Sequence, residues 1–363
     1  MKLFICGWRP WTVVGRYKSL MLNAIGEGHE VLGVASEHLG VRSMTEEMFN
    51  QLDVPFVTGG AAGTTRALDE FQPDAVFGEQ YWHCPEEVAA RVWAREHGVP
   101  HLVLDHGKNY HATAGAVVDY HSKLAGSSTI LVATERAAAI LEGRTAAKIV
   151  LVGMPQYDLV KDEYWVPGIR EQLGVAADQK LIALSLYFHD RGNPTGGEGE
   201  CLLPFLELAG EKGWRVVCSP HPTERKTITS LRHPKRLPYL KSMQDRGVLF
   251  VSDFGPGNVG GVEFIQCPLF DLLAAADGVT GASQSLQHPA YAAGKQLFPF
   301  EVGGLEPLPN VGEIGEKFEG LIEAVVRGSE WHQDAETTRE YFWKLDRMCW
   351  KRMLEEVGDG TRT

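Results

Sequence analysis

Four short stretches of the chain hold side chains suited to moving protons or binding phosphate. Asp105-His106-Gly107-Lys108 follows the apolar run His101–Leu104, and His221-Pro222 follows the run Trp214–Cys218. Imidazole titrates near 6.5, so at neutral pH it can take a proton from a hydroxyl or support a departing phosphate. His106 and His221 are therefore candidate acid–base groups, with Asp105 placed to fix the tautomer of the first. The third stretch, Gly281-Ala282-Ser283-Gln284-Ser285, lies between an apolar run and a helical pattern. Free N–H groups at such a helix start, joined by two hydroxyls and an amide, suit an anionic phosphate. Arg225 and His288 are the nearby candidates for the rest of that ligand. The fourth stretch is Gly7-Trp8-Arg9-Pro10-Trp11 with Gly15-Arg16, in the first strand-to-helix loop. There Trp11 would stack on a sugar or base, while Arg9, Arg16 and the more distant Lys108 would meet phosphate on the acceptor side.

Other chemistries lack their residues. The six cysteines are scattered without a C-x-x-C pair, and the thirteen histidines form no H-E-x-x-H or Cys/His ligand set. No metal site is expected, nor a serine-hydrolase nucleophile, since G-x-S-x-G is absent. The thiols read as buried groups of a reducing compartment.

These stretches need a scaffold that brings strand ends together. Apolar runs of four to six residues alternate with helical spacing along nearly the whole chain, from Lys2–Cys6 to Gln296–Phe300. Strands apolar on both faces and separated by helices predict parallel sheets covered on both sides. At 363 residues the chain is long enough for two such domains. Their boundary falls where Gly153-Met154-Pro155 opens an irregular, charged stretch, giving domains 1–158 and 159–330. The tail 331–363 carries Phe342, Leu345, Cys349 and Met353 at helical spacing, which predicts one long helix over Trp331–Val357 that packs back on the N-domain. With 44% hydrophobic and 23% charged residues the chain is globular rather than disordered. Its formal charge of -12 argues against an overall nucleic-acid surface. No apolar run has the length of a transmembrane span or a signal peptide, so a cytoplasmic protein is expected.

The order of several segments resembles the GT-B superfamily. Gly28-His29-Glu30-Val31 is similar to the turn into the second strand of GT-B N-domains. Gly153-Met154-Pro155-Gln156-Tyr157-Asp158 resembles the linker opening of CDP-glycerol glycerophosphotransferases and non-hydrolysing UDP-GlcNAc 2-epimerases. Ser219-Pro220-His221-Pro222 is similar to the strand-plus-HP of both, and Asp277 through Lys295 resembles their donor-site signature. The resemblance implies an α/β protein of GT-B fold: two doubly wound Rossmann-like domains, an interdomain cleft and a C-terminal crossing helix. It also implies that His106 and His221 are the catalytic pair, as in the glycerophosphotransferases. Where GT-B donor sites commonly carry a ribose-binding glutamate, this chain has Pro289; either His288 or Gln287 takes the ribose, or the donor differs.

The leading expectation is a transferase that moves a glycosyl or glycerophosphoryl group from a nucleotide-activated sugar or a CDP-glycerol-like donor to a hydroxyl acceptor. The donor is a substrate and no separate cofactor is expected. One alternative is a UDP-GlcNAc 2-epimerase-like isomerase, for which Glu79 and Asp105 are the nearest N-domain carboxylates. The other is a nucleotide-sugar-binding protein without catalysis.

Overall fold

The computed structural model describes residues 1–6, 16–36, 42–78, 84–104, 127–160, 166–186, 198–220, 236–253, 255–301, 309, 319–327 and 332–360. Two compact units divide the chain, one of Met1–Leu159 with Ala335–Thr363 and one of Val160–Asp334.

Unit 1 alternates strand and helix: β1 (Lys2–Cys6), α1 (Lys18–Gly26), β2 (Glu30–Val34), α2 (Arg42–Gln51), β3 (Phe56–Val57), α3 (Gly60–Phe71), β4 (Ala75–Gly78), α4 (Pro85–His97), β5 (His101–Leu104), β6 (Thr129–Val132), α5 (Glu135–Leu141) and β7 (Lys148–Leu151). The strands pair in the order β3-β2-β1-β4-β5-β6-β7, all in parallel. The chain first builds outward from β1 to β3, then crosses to the other side of β1 with β4. That reversal makes the carboxyl ends of β1 and β4 a topological switch point, the place where open α/β sheets bind ligands. The central strands β1, β4, β5 and β6 are buried on both faces. Leu3, Ile5 and Phe77 pack with α1, while Phe4, Cys6 and Val76 pack against Leu68, Ala90 and Trp93 of α3 and α4.

Unit 2 follows the same logic with α6 (Val166–Gln172), β8 (Leu181–Ser185), α7 (Glu198–Glu211), β9 (Arg215–Cys218), α8 (Arg236–Asp245), β10 (Leu249–Ser252), β11 (Gly257–Val259), β12 (Val262–Gln266), α9 (Leu269–Ala275), β13 (Gly278–Ala282), α10 (Ser283–Ala292), β14 (Leu297–Glu301) and α11 (Glu319–Arg327). Its order is β11-β12-β10-β9-β8-β13-β14, and the reversal falls between β8 and β13. The strands run parallel except β11, which folds back on β12 through Gly260 and Gly261, both at positive φ. This hairpin escapes periodicity reasoning because β11 is three residues of mixed exposure and β12 carries an exposed Glu263 between buried Val262 and Phe264.

The tail differs from the expected single helix. It forms α12 (Ala335–Phe342) and α13 (Cys349–Gly360), with Trp343 and Arg347 between them at φ of 60°. Asp346 drives the break: its carboxylate accepts the Met348 N–H at 3.1 Å and pairs with both Arg352 Nη atoms at 2.9 and 3.0 Å. Phe342 and Cys349 stand seven residues apart, so a continuous helix and a broken one share the same apolar stripe. Met353, Leu354 and Val357 of α13 join the unit 1 core around Leu20 and Val152.

The linker motif proves to be the mooring of α13. Gly153 lies at φ +88°, and a Cβ there would come within 2.8 Å of Cys349 Sγ. Asp158, in the short 3-10 turn Pro155–Leu159, accepts the first-turn N–H groups of Cys349 and Trp350 at 3.2 and 2.9 Å and a hydroxyl bond from Ser19. Burial pushes its carboxyl above the ordinary range, against the pull of those donors. Asp158→Ala is therefore expected to cost about 2 kcal/mol of unfolding free energy, whereas Asp158→Asn, which keeps an acceptor oxygen, should cost well under half of that. Urea denaturation of the three proteins checks it; equal losses for both variants would contradict the cap.

Candidate functional site

In unit 2 the switch point is built on a glycine. Gly281 pairs with Ser185 at the end of β8 and has φ +131°. A Cβ there would overlap the Ser185 carbonyl oxygen and stand 2.8 Å from its nitrogen. The ladder to β14 shifts register between Gly281 and Ala282, and α10 begins at the very next residue, Ser283. This abrupt strand-to-helix turn leaves the first-turn N–H groups of α10, from Ser283, Gln284 and Ser285 onward, without partners inside their own helix. The backbone dipoles there favour an anion. Further along α10, Gln287 is fully buried and His288 half-buried. Pro289 lies inside the helix, so the Ser285 carbonyl receives no N–H from it. His221 and Arg225 lie outside the described residues.

In unit 1 the corresponding point is the pair Cys6 and Gly78, adjacent at the ends of β1 and β4. Tyr17, fully buried just ahead of α1, donates its hydroxyl proton to the Gly78 carbonyl. Arg16 beside it is also buried. Beneath the first turn of α4 sits a polar cluster that sequence reasoning missed. Glu86, Glu87 and His101 are each 2% exposed. His101 Nε2 lies 3.4 Å from Glu87 Oε1, and its Nδ1 lies 3.2 Å from Ser127 Oγ. The Cys84 thiol donates to Glu86 Oε2 at 2.9 Å and stands 3.5 Å from Ser36 Oγ. Burial pushes the Cys84 thiol up to about 12 with help from Glu86, and raises Cys6 strongly, with Glu87 adding to it. These thiols are donors rather than nucleophiles. Pro85-Glu86-Glu87 reads in sequence as an ordinary acidic first turn, so nothing local marks it. Asp105, His106, Lys108, Arg9, Trp11 and Glu79 lie outside the described residues.

Other residues of the donor-like signature serve the opposite edge of the sheet. Asp277 precedes β13 and accepts the Leu181 N–H at 2.8 Å, Arg170 Nη1 at 2.9 Å and Lys180 Nζ at 3.2 Å. Lys295 reaches the carbonyls of Ala274 and Ala276, which end α9, while Gly294 at φ +68° terminates α10. Gly28 and His29 likewise close α1, bonding back to Ile25 and Ala24. Burial favours the neutral form of Asp277, but its donors outweigh burial and hold its carboxyl below the ordinary range. Its contribution to stability is thus complete above the unfolded-state value near 4 and is lost as pH falls through the lower folded-state value. Asp277→Asn should lower the thermal midpoint at neutral pH and lose that deficit on acidification. A pH-independent deficit would contradict the ion-pair reading.

Among the described residues no group of three or more His, Cys, Asp or Glu is arranged to hold a metal ion. Nor is any helix among them long and apolar enough to cross a membrane.

No family model and no curated protein matches the sequence. Solved structures do match over nearly the whole chain. UDP-GlcNAc 2-epimerase from Methanocaldococcus jannaschii is 16% identical with a TM-score of 0.64, covering 99% of this chain and 100% of that one. UDP-GlcNAc 2-epimerase from Neisseria meningitidis, bound to UDP-GlcNAc, is 15% identical with a TM-score of 0.59 and the same coverage. MurG from Acinetobacter baumannii is 10% identical with a TM-score of 0.50, covering 99% of each chain. Two Rossmann-like sheets with switch points at β1/β4 and β8/β13, matched end to end by such structures, give this chain the GT-B fold.

Proposed function

We propose that this protein is an enzyme acting on a nucleotide-diphosphate-activated sugar, and that its reaction is epimerisation beside the anomeric carbon. The observation that carries this reading is the end-to-end likeness to UDP-GlcNAc 2-epimerases, at TM-scores of 0.59 and 0.64 against 0.50 for MurG. That likeness supports the isomerase reading over the transferase that the histidine motifs suggest. In unit 2 the turn at Gly281 and the start of α10, with Ser283, Gln284 and Ser285, would receive the diphosphate. Arg225 and His221 would add charge, and His288 or Gln287 would meet the ribose.

Inverting a carbon beside the anomeric centre requires a base to remove its proton and an acid to return one on the other face. Carboxylate and imidazole perform both roles near neutral pH. The candidates in unit 1 are Glu79, Asp105 and His106, with Arg9, Arg16, Trp11 and Lys108 as binding groups. Atoms balance with no second substrate consumed: the proton lost to the enzyme or solvent is replaced by another.

The transferase reading retains support from His106-Gly107-Lys108 and His221-Pro222, since a histidine pair suits group transfer to a hydroxyl. One experiment separates them. The protein is incubated in D2O with UDP-GlcNAc, related nucleotide sugars and CDP-glycerol, and products are followed by NMR and mass spectrometry. Epimerisation is expected to add one solvent deuterium to the recovered nucleotide sugar without an acceptor. Acceptor-dependent nucleotide release without deuterium would favour transfer, and ligand-induced stabilisation without any turnover would favour binding alone.

A further inference from the structure

We infer that the hydroxyls of Ser185 and Ser219 extend the anion site at the Gly281 turn. Ser185 holds the second phosphate of a nucleoside diphosphate, and Ser219 meets the group which that phosphate carries. This deepens the proposed function and rests on its reading of unit 2 as the nucleotide-binding half.

The two serines end neighbouring strands on one face of the sheet. Along β8, Ile182 and Leu184 belong to the core on one side. Leu181 and Ala183 belong to the core on the other, together with Leu286 and Ala290 of α10. Side chains alternate along a strand, so Ser185 falls on the α10 side. In β9, Val216 and Cys218 lie on the far side and Val217 on the α10 side, which puts Ser219 there as well. The ladder reaches Ser219, whose N–H bonds the Leu184 carbonyl at 2.9 Å. Gly281 pairs with Ser185 from the other flank.

On this face the chemistry changes at the strand ends. Two residues back, the row across the sheet is Val279, Ala183, Val217 and Leu249, all apolar. The end row is Gly281, Ser185 and Ser219, and it turns apolar again at the buried Val251 of β10. Hydroxyls therefore stand only on the two strands that follow the Gly281 turn. Ser185 is 6% exposed, and neither serine hydroxyl has a hydrogen-bond partner among the described residues. A buried hydroxyl left unpaired lowers stability, and alanine would fill the same space without that cost. The start of α10, with its free N–H groups, is one strand away. Neighbouring strands lie about 4.8 Å apart, a step comparable with that between successive groups of a diphosphate sugar. With the nucleoside toward Gln287 or His288, the start of α10, β8 and β9 lie progressively farther along the ligand. They would meet the first phosphate, the second phosphate and the sugar in that order. A hydroxyl donates and accepts, so it suits a phosphate oxygen and a sugar hydroxyl alike.

The test uses the full chain with Ser185→Ala and Ser219→Ala, titrated calorimetrically with UMP, UDP and UDP-GlcNAc and with CMP, CDP and CDP-glycerol. For the base that the unsubstituted protein prefers, Ser185→Ala is expected to weaken the diphosphate about 10- to 100-fold and the monophosphate less than about threefold, as loss of one bond to a charged acceptor requires. Ser219→Ala is expected to weaken UDP-GlcNAc or CDP-glycerol about 3- to 10-fold and the bare diphosphate less than about twofold, as loss of a neutral bond requires. Both variants should unfold at or slightly above the midpoint of the unsubstituted protein, because alanine removes a hydroxyl that the chain leaves unpaired. A purely structural serine would instead lower the midpoint and weaken all ligands alike, and that result would overturn the inference. If the unsubstituted protein binds diphosphates and both variants bind every ligand unchanged, the proposed function stands and the inference falls. If it binds none of the six ligands, both fall together.

Discussion

Gly281→Ala is expected to destabilise unit 2 by about 2–6 kcal/mol and to abolish its affinity for nucleotide diphosphates. Two costs combine. At φ +131° an L-residue is held in a backbone region that essentially only glycine occupies, which costs about 1–3 kcal/mol. The added methyl would also overlap the carbonyl of Ser185. That atom belongs to the strand paired with β13, so it yields only if the ladder opens, an overpacking cost of about 1–3 kcal/mol. For a unit of this size the thermal midpoint should fall by about 10 °C. The same displacement would move the first turn of α10, so phosphate binding should go with it. Differential scanning calorimetry and titration with nucleoside diphosphates measure both. A midpoint within about 2 °C of the unsubstituted protein would show that the turn has room to relax.

The second large effect is on ligand affinity alone. Replacing Ser283 and Ser285 together with alanine removes two hydroxyl donors from the start of α10 but leaves its N–H groups. A hydrogen bond to a charged acceptor is worth about 1.5–3 kcal/mol, so affinity for a nucleoside diphosphate should fall about 100-fold or more if both hydroxyls are used. Alanine favours a helix interior, so the unfolding transition should move little. Calorimetric titration with UDP, beside the unsubstituted protein, gives the answer. Unchanged affinity would exclude the two hydroxyls as donors to the phosphate.

Much of the architecture was readable before any coordinates. Apolar runs such as Lys2–Cys6, His101–Leu104 and Thr129–Val132 are strands because burial on both faces leaves no alternation to misread. Gly28 and Gly294, which the sequence marked only as parts of GT-B-like motifs, lie at positive φ where α1 and α10 end. The Gly281 turn was marked by its small residues. The function was less legible. The ordered motifs led to a transferase, while solved structures that match end to end include UDP-GlcNAc 2-epimerases at TM-scores of 0.59 and 0.64, a likeness of fold.

Sequence alone determined most of the strands and helices and that two largely parallel α/β sheets result, since periodicity is a local property of the chain; the β11–β12 hairpin and the break before α13 came only with the fold. Tertiary structure alone decided what the conspicuous polar residues do. Asp158, Asp277 and Lys295 carry the look of ligand residues, yet the fold turns the first toward the amide groups of α13 and the other two toward the opposite edge of their sheet. Glu86, Glu87 and His101 look like solvated or incidental residues, yet they meet beneath a strand end. Apart from Cys84 beside Glu86, their partners lie 14 to 192 positions away, as with His101–Glu87 and Asp158–Trp350. Local spacing carries no information about such pairs: hydrogen bonding and desolvation act through space, and only the closed fold sets those distances.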